Sequence, residues 1–254
     1  MNTRYIRYGL LTVSLGLVVY LALGFGTHSF EAFCPFGGME SLWGLFTAGE
    51  FSCALGPLNL SMMVAVLALT LLAKKSFCGW ACPIGFLGEL CGRAGDVVNK
   101  KKLRPGARLD GSLRLLRYAV LIVSLVFTYR AGELILRGYD PFYLLFSGVG
   151  HGTAGVLSYV TLAIVTAGAF VVPMFFCRYL CPLGAVLDPF SRLGLVRVVR
   201  DARGCTNCGS CHSACPHDIP VHTLTQVRRR DCTNCLECVE ACPEQMVLSV
   251  RAGL

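Results

Sequence analysis

The sequence predicts an all-α membrane domain of four transmembrane helices with a parallel internal repeat, followed by a small α+β module. Three observations lead to this fold class: an apolar composition, the spacing of the apolar blocks, and a change of composition at residue 195. Hydrophobic residues form 54% of the 254-residue chain and charged residues 15%, unlike an ordinary soluble domain. We therefore expect a membrane domain at residues 1–194 and a separate module at residues 195–254.

Four apolar blocks, at residues 8–25, 58–73, 113–127 and 156–176, are the predicted transmembrane helices. A helix needs roughly 20 residues to cross the hydrocarbon of a bilayer, so the second and third blocks should extend into their flanking sequence. None of the blocks shows the polar face, at the helical period, that a helix packed on a soluble core would carry. The blocks therefore favour membrane spans over buried core helices.

The basic residues predict how these spans are oriented. The connection between the first two blocks contains three glutamates and no Lys or Arg, whereas the next connection contains eight basic residues, and nine arginines follow Cys177. Basic residues beside spans are retained in the cytoplasm. We expect a multi-pass protein of the bacterial cytoplasmic (inner) membrane with both termini in the cytoplasm. The net charge of +8 suits anionic membrane lipid, so nucleic acid is not an expected partner.

An internal repeat becomes visible once the spans are drawn. The pattern Phe-Cys-x3-Cys-Pro-x-Gly occurs at residues 77–85, after the second span, and again 99 residues later at residues 176–184, after the fourth. Two spans return the chain to the same side of the membrane. The two halves should therefore run parallel, related by an axis along the membrane normal.

The strongest motif in the sequence is a repeated run of cysteines in the C-terminal module. The pattern Cys-x2-Cys-x2-Cys-x3-Cys-Pro occupies residues 205–216 and 232–243, between predicted strands at 196–200 and 246–250. In this pattern three thiolates bind one 4Fe-4S cluster, and the fourth binds the other cluster of a two-cluster ferredoxin. Zinc ligation and disulfides also use closely spaced cysteines, but zinc usually takes two pairs, and a cytoplasmic module should lack structural disulfides. We assign one cluster to Cys205, Cys208, Cys211 and Cys242, and the other to Cys232, Cys235, Cys238 and Cys215.

The Cys-x3-Cys-Pro motifs after the second and fourth spans are called the inner motifs below, because they lie on the predicted cytoplasmic side. Each provides a further pair of thiols, Cys78 with Cys82 and Cys177 with Cys181. A spacing of four residues puts both thiols of a pair on one face of a helix. The repeat axis would bring the pairs together, and four thiolates could hold a third, shared iron-sulfur centre. Two alternatives remain open, namely redox-active thiol pairs and small residues packed at a helix end.

The whole arrangement closely resembles the NapH family of membrane ferredoxins, to which MauN-type proteins and the C-terminal membrane part of NosR are similar. The resemblance rests on Cys-x3-Cys-Pro motifs after the second and fourth spans, combined with the C-terminal cluster motifs, and it covers essentially the whole chain. It implies that the inner cysteines are the family's inner motifs and that the eight C-terminal cysteines are cluster ligands. It also implies quinol oxidation, with electrons delivered toward periplasmic reductases through partner redox subunits.

We therefore expect a membrane-bound electron-transfer protein, a subunit of a quinol-oxidising complex that contacts membrane lipid, quinol and other redox subunits. Quinol oxidation releases protons, and His28 and His151, near the outer ends of spans, are candidate quinol-site residues. A lone histidine at a membrane boundary is, however, more often an interfacial residue. Cys34 and Cys53 could form a disulfide on the outer side. Two other functions stay open: electron supply for the assembly or metal maturation of another enzyme, and redox sensing.

Overall fold

The computed structural model describes residues 3–20, 35–49, 56–98, 105–131, 156–244 and 246–253, most of which are helical. A helix overlaps each of the four apolar blocks, at Thr3–Tyr20, Gly56–Ala73, Leu116–Ala131 and Val156–Val171. A short π-helical turn, Phe176–Leu180, stands between the last two long helices and is called the π-turn below. The long helices are α1 (Thr3–Tyr20), α2 (Pro35–Ala48), α3 (Gly56–Ala73), α5 (Pro83–Val98), α7 (Leu116–Ala131), α8 (Val156–Val171) and α9 (Pro182–Leu193); α4 (Ser76–Trp80) and α6 (Ala107–Leu113) are short.

Membrane crossing is the part of the predicted fold that these helices leave unconfirmed. Over the ranges that the structure describes, no single helix combines the length and the apolar character needed to span a bilayer. The four-span domain therefore stays a prediction.

The chain forms two compact units. The first contains residues 1–14, 67–86 and 186–254, so the start of α1 and the segment around α4 belong to the same unit as the C-terminal module. The second contains residues 15–66 and 87–185. Within it, α7 packs against α2 and against the π-turn. The domain boundary predicted at residue 195 stays a prediction.

The C-terminal module is built on a two-stranded antiparallel sheet. Strand β1 (Val196–Arg200) pairs with β2 (Leu248–Ala252), Val196 opposite Ala252 and Arg200 opposite Leu248. The first strand lies where the sequence predicts it, but the second begins two residues later than expected. The reason is Met246, whose φ of 65° is left-handed backbone that a strand does not tolerate.

Under the sheet lies a small core in which cysteines take the place of larger apolar side chains. Val198, Val221, Val227 and Leu248 are buried there together with Cys211 and other cysteines of the two motifs. Two one-turn helices, α10 (Ser210–Ser213) and α11 (Glu237–Glu240), each contain the third cysteine of a motif. The thiols of the module are thus part of its core as well as candidate ligands.

Candidate iron-sulfur sites

The two cysteine motifs of the module share one backbone geometry. Asn207 and Asn234, each just before the second cysteine, have φ values of 56° and 47°, and Gly209 and Leu236, each just after it, have φ values of 77° and 62°. Left-handed residues turn a chain sharply, and asparagine and glycine tolerate this conformation best. The repeated turns direct successive thiols of each motif toward a common cavity.

The first cavity, called site I below, is lined by four thiols drawn from both motifs. Three come from the first motif and the fourth is the last cysteine of the second; the other polar residues of the lining are Thr206, Arg200, His222 and Glu244. Cys208 is exposed to solvent. The four thiols are Cys205, Cys208, Cys211 and Cys242.

The second cavity, called site II below, has the reciprocal composition. Three thiols come from the second motif and one from the end of the first, and the other lining residues include Val198, Ile219, Val221 and Val227. The thiol of Cys232 is buried. The four thiols of site II are Cys215, Cys232, Cys235 and Cys238.

The sequence assigned the same two sets of four thiols to two clusters. In the described part of the chain, no three His, Cys, Asp or Glu side chains are grouped so that they could hold one metal ion; the eight thiols surround two cavities instead. Backbone N–H groups point at sulfur, as from Ile219 to Cys215 Sγ at 3.5 Å. Four thiols with N–H donors around each cavity fit the requirements of a 4Fe-4S cluster.

The two sites differ in how their surroundings treat a thiolate. At site II, burial raises the pKa of the Cys215 thiol to about 12 and also raises the pKa values of Cys232 and Cys238. At site I, burial raises the pKa of Cys211, but hydrogen bonds from the Asn207 backbone and the Arg200 side chain lower that of Cys205, and hydrogen bonds from Ser210 lower that of Cys208. Iron is bound by thiolates. Loading of site II must therefore displace protons that its thiols hold firmly.

The two inner motifs also share one local geometry, which agrees with the internal repeat. The N–H of the second cysteine donates to the carbonyl of the phenylalanine five residues before it, Cys82 to Phe77 and Cys181 to Phe176, both at 2.9 Å. The following proline then begins a helix, α5 or α9, as suits a residue that lacks an N–H. Cys78 and Cys82 belong to the first compact unit, Cys177 and Cys181 to the second.

Helix α1 holds the first inner motif against α11. Arg7 is 1% exposed, and its Nε donates to Gly79 O at 2.8 Å while its Nη1 pairs with Glu237 Oε1 at 2.7 Å. Ser14 Oγ donates to Ala81 O at 2.6 Å. Two carbonyls between Cys78 and Cys82 are thus fixed by one helix.

The same motif also contacts the cysteine loop of site II directly. Trp80 Nε1 donates to Asn234 O at 2.9 Å, and a Cβ added at Gly79 would lie 2.8 Å from Thr233 O. Asn234 Nδ2 donates to Ala73 O at 3.0 Å and to Val196 O at 2.9 Å. Asn234 therefore joins α3, α4 and β1 to the loop that contains Cys232 and Cys235.

The second inner motif is anchored by a buried carboxylate. Asp110 accepts hydrogen bonds from Tyr179 at 2.6 Å, from Arg178 at 2.7 Å and from Arg114 at 2.6 Å. Burial raises the pKa of Asp110, but these donors outweigh it and leave the pKa below its usual value. Because Arg178 and Tyr179 lie between Cys177 and Cys181, an ionised Asp110 fixes the backbone that carries both thiols.

Sequence reasoning did not identify Arg7, Trp80, Asp110 or Asn234 as residues that position the cysteines. Trp80 and Asn234 each lie inside a cysteine motif and so had a local signal, whereas Arg7 and Asp110 had none. The predicted quinol-site residues His28 and His151, and the predicted pair Cys34 and Cys53, lie outside the residues that the structure describes.

Comparison with known proteins supplies the family. The 4Fe-4S binding domain family matches residues 55–105 and 154–200, and the 4Fe-4S dicluster domain family matches residues 197–243. The protein MJ0750 of Methanocaldococcus jannaschii is 35% identical over 64% of this chain and 67% of its own length. The ferredoxin-type protein NapH of Haemophilus influenzae is 29% identical over 60% of this chain and 51% of its own. The chain belongs to the NapH-type membrane ferredoxin family.

The first family match covers both halves of this NapH-type ferredoxin, which agrees with the internal repeat. YccM of Escherichia coli is 32% identical over 78% of the chain, but the alignment spans only 57% of YccM. The chain thus aligns with about half to two thirds of these relatives. No solved structure matches it. Both matching family models describe 4Fe-4S binding domains, which agrees with the two four-thiol cavities, sites I and II.

Proposed function

We propose that the protein is the membrane-bound subunit of a quinol dehydrogenase, which takes electrons from quinol and passes them toward a partner reductase. The observation that carries the electron-transfer part is the pair of four-thiol cavities, sites I and II, formed by exchange of the last cysteine of each motif. A 4Fe-4S cluster supplies a one-electron couple, and the protein holds it, shields it from water and tunes its potential.

Each of the two sites binds one 4Fe-4S cluster in this proposal. The exchange of the fourth cysteine makes the ligation testable, because Cys242→Ser should then affect the same cluster as Cys208→Ser, and Cys215→Ser the same cluster as Cys235→Ser. Electron paramagnetic resonance of the reduced, anaerobically purified variants resolves the two signals. Cys91→Ser, outside both motifs, is the matched control. Two intact clusters in any of the four site variants would refute the ligand sets.

In the proposed membrane arrangement, four spans cross the inner membrane and both termini are cytoplasmic. The basic-residue asymmetry supports it, as does the similarity to the ferredoxin-type protein NapH. Reporter fusions after Lys101 and Leu254 should report a cytoplasmic location and fusions after Glu40 and Gly138 the opposite one. Periplasmic activity of the fusion at Leu254 would contradict the topology.

Quinol as the electron donor is tested in membranes that contain the protein. A reduced quinol analogue, added anaerobically, should reduce the clusters, and membranes with Cys208→Ser and Cys235→Ser combined give the background. Clusters that a cytoplasmic reductant reduces and a quinol analogue does not would favour electron supply for the maturation of another enzyme. The candidate residues His28 and His151 would then lose their proposed role in proton release.

A further inference from the structure

Lys74, directly after α3, is a buried cation whose position the backbone does not favour. Its φ is 58°, left-handed backbone that residues other than glycine, asparagine and aspartate rarely adopt. The side chain is 1% exposed. Gly194 makes room for it, since a Cβ there would lie 2.6 Å from Lys74 Cγ. A residue retained in an unfavourable conformation suggests a function for its side chain.

The contacts of Lys74 leave its charge without a carboxylate. Its Nζ donates to Arg229 O at 3.2 Å and to Ser191 O at 3.4 Å, and within the described part of the chain it forms no ion pair. The neighbouring Lys75, in contrast, pairs with buried Asp188 at 2.6 Å. A buried charge without an opposite charge is costly. A negative group near Lys74 would therefore stabilise its ammonium.

Site II can supply that group. The carbonyl of Arg229, which accepts the Lys74 ammonium, also accepts the N–H of Cys232 at 3.2 Å. The Lys74 ammonium and the backbone N–H of Cys232 thus donate hydrogen bonds to the same carbonyl oxygen. Burial lowers the pKa of Lys74, and the Cys232 thiolate is the negative group that raises it, while Arg197, Lys75 and Arg228 lower it further. At Cys232 itself, burial raises the pKa of the thiol; among the charged groups, Lys74 lowers it and the neighbouring Asp231 carboxylate raises it.

Four thiolates and an iron-sulfur core carry net negative charge, and one-electron reduction adds to it. A buried cation close to Cys232 must stabilise the reduced form more than the oxidised form, since charge is poorly screened in the protein interior. We propose that Lys74 raises the reduction potential of the cluster at site II and is the residue that makes this potential differ from that of the cluster at site I. The inference rests on the proposed ligation at site II, not on quinol as donor.

Site I offers the matched comparison within the same molecule. Arg200 lines that cavity and its side chain bonds to Cys205 and to Leu224 O. Each site therefore has its own basic residue, one buried behind Cys232 and one beside the partly exposed Cys205. Removing the charge of Lys74 should change the reduction potential of the cluster at site II only, and removing that of Arg200 should change the potential at site I only.

The test is an anaerobic redox titration of the full-length protein, followed by electron paramagnetic resonance, for wild type and four variants. Lys74→Met removes the charge, Lys74→Gln removes it but keeps a donor for the two carbonyls, and Lys74→Arg keeps it. Arg200→Met is the control at site I. We expect both neutral variants to reduce the stability of one reduced cluster at least tenfold, which equals about 59 mV for one electron. Lys74→Arg should stay near wild type, and Arg200→Met should move the other potential.

The variants separate charge from packing. If Lys74 only holds the carbonyls of Ser191 and Arg229, Lys74→Gln will match wild type, which would overturn the proposal. Unchanged potentials in Lys74→Met and Lys74→Gln, or a shift of the same cluster by Arg200→Met, would overturn it as well. If Lys74→Met loses the cluster, the reduction potentials of Lys74→Gln and Lys74→Arg are compared instead. A lower potential in Lys74→Gln alone supports the proposal, and equal potentials overturn it. A wild-type protein with a single cluster would overturn both this proposal and the ligation on which it rests.

Discussion

The asparagine just before the second cysteine of each motif has different contacts at the two sites. Asn207 and Asn234 have the same left-handed backbone, but Asn207 is exposed, whereas the amide of Asn234 donates to Ala73 O and Val196 O. The shared backbone explains why both motifs have asparagine. Only at site II does the side chain also tie the cysteine loop to the rest of its compact unit.

This difference predicts unequal effects for the same substitution. Asn234→Ala should lower the free energy of unfolding by about 2 kcal/mol more than Asn207→Ala, because two carbonyls lose their donor while the backbone strain is the same in both variants. Urea titration followed by circular dichroism, on protein of equal iron content, measures it. Equal losses would mean that the contacts of Asn234 contribute nothing beyond the turn.

The residues that the sequence could not predict share one property, which is long sequence separation from their partners. Cysteine spacing is local, so the sequence could predict that the eight C-terminal cysteines form two sets of four, and it could also predict strand β1. Arg7 meets Glu237 across 230 positions and Trp80 meets Asn234 across 154, and no periodicity or spacing encodes such pairs. The start of β2 was misplaced because apolar character, used to predict it, does not report the left-handed φ of Met246.

At the scale of elements, the inner motifs reach their common geometry through different neighbours. In the frame of the repeat Trp80 corresponds to Tyr179, and each uses its polar atom for one hydrogen bond, to Asn234 O at 2.9 Å and to Asp110 at 2.6 Å. The first motif is therefore joined to the cysteine loop of site II, and the second to α6.

Matched substitutions test this division. Trp80→Phe and Tyr179→Phe should each lower the free energy of unfolding by about 1 kcal/mol, the usual worth of one hydrogen bond. Only Trp80→Phe should alter the electron paramagnetic resonance of the cluster at site II, because its partner lies between Cys232 and Cys235. An altered site II spectrum in Tyr179→Phe, with none in Trp80→Phe, would contradict the assigned contacts.

The ion pair between α1 and α11 joins two buried side chains that are 230 positions apart in the sequence. Arg7 and Glu237 are both buried, at 2.7 Å, whereas Arg4 is largely exposed and 3.7 Å from the same carboxylate. Arg7→Met should cost about 3–5 kcal/mol, because it deprives a buried carboxylate of its main partner. Arg4→Met should cost less than about 1 kcal/mol.

A double-mutant cycle completes that test. Arg7→Met combined with Glu237→Gln should cost less than the sum of the single variants, since the second change removes the charge that the first leaves uncompensated. Urea titration of the four proteins gives the coupling energy. Additive losses would show that the two side chains act independently.

At the scale of the whole molecule, iron content tests the predicted third centre. If the four inner cysteines share a 4Fe-4S cluster, fully loaded protein should contain about twelve iron atoms, and Cys82→Ser or Cys181→Ser should each lower this to about eight. Anaerobic purification with iron and acid-labile sulfide analysis measures it, with Cys91→Ser as the control. About eight iron atoms in wild type, unchanged in both variants, would leave these cysteines as redox-active thiols or packed residues.

The contact of α1 with α11 also constrains the order in which the protein can be completed. The ribosome adds Glu237 230 residues after Arg7, so the first helix emerges long before its partner exists. Until α11, which contains Cys238, has formed, the Arg7 guanidinium lacks the Glu237 carboxylate that neutralises it. Folding of the cysteine module is therefore the step that completes the polar contacts of the first helix.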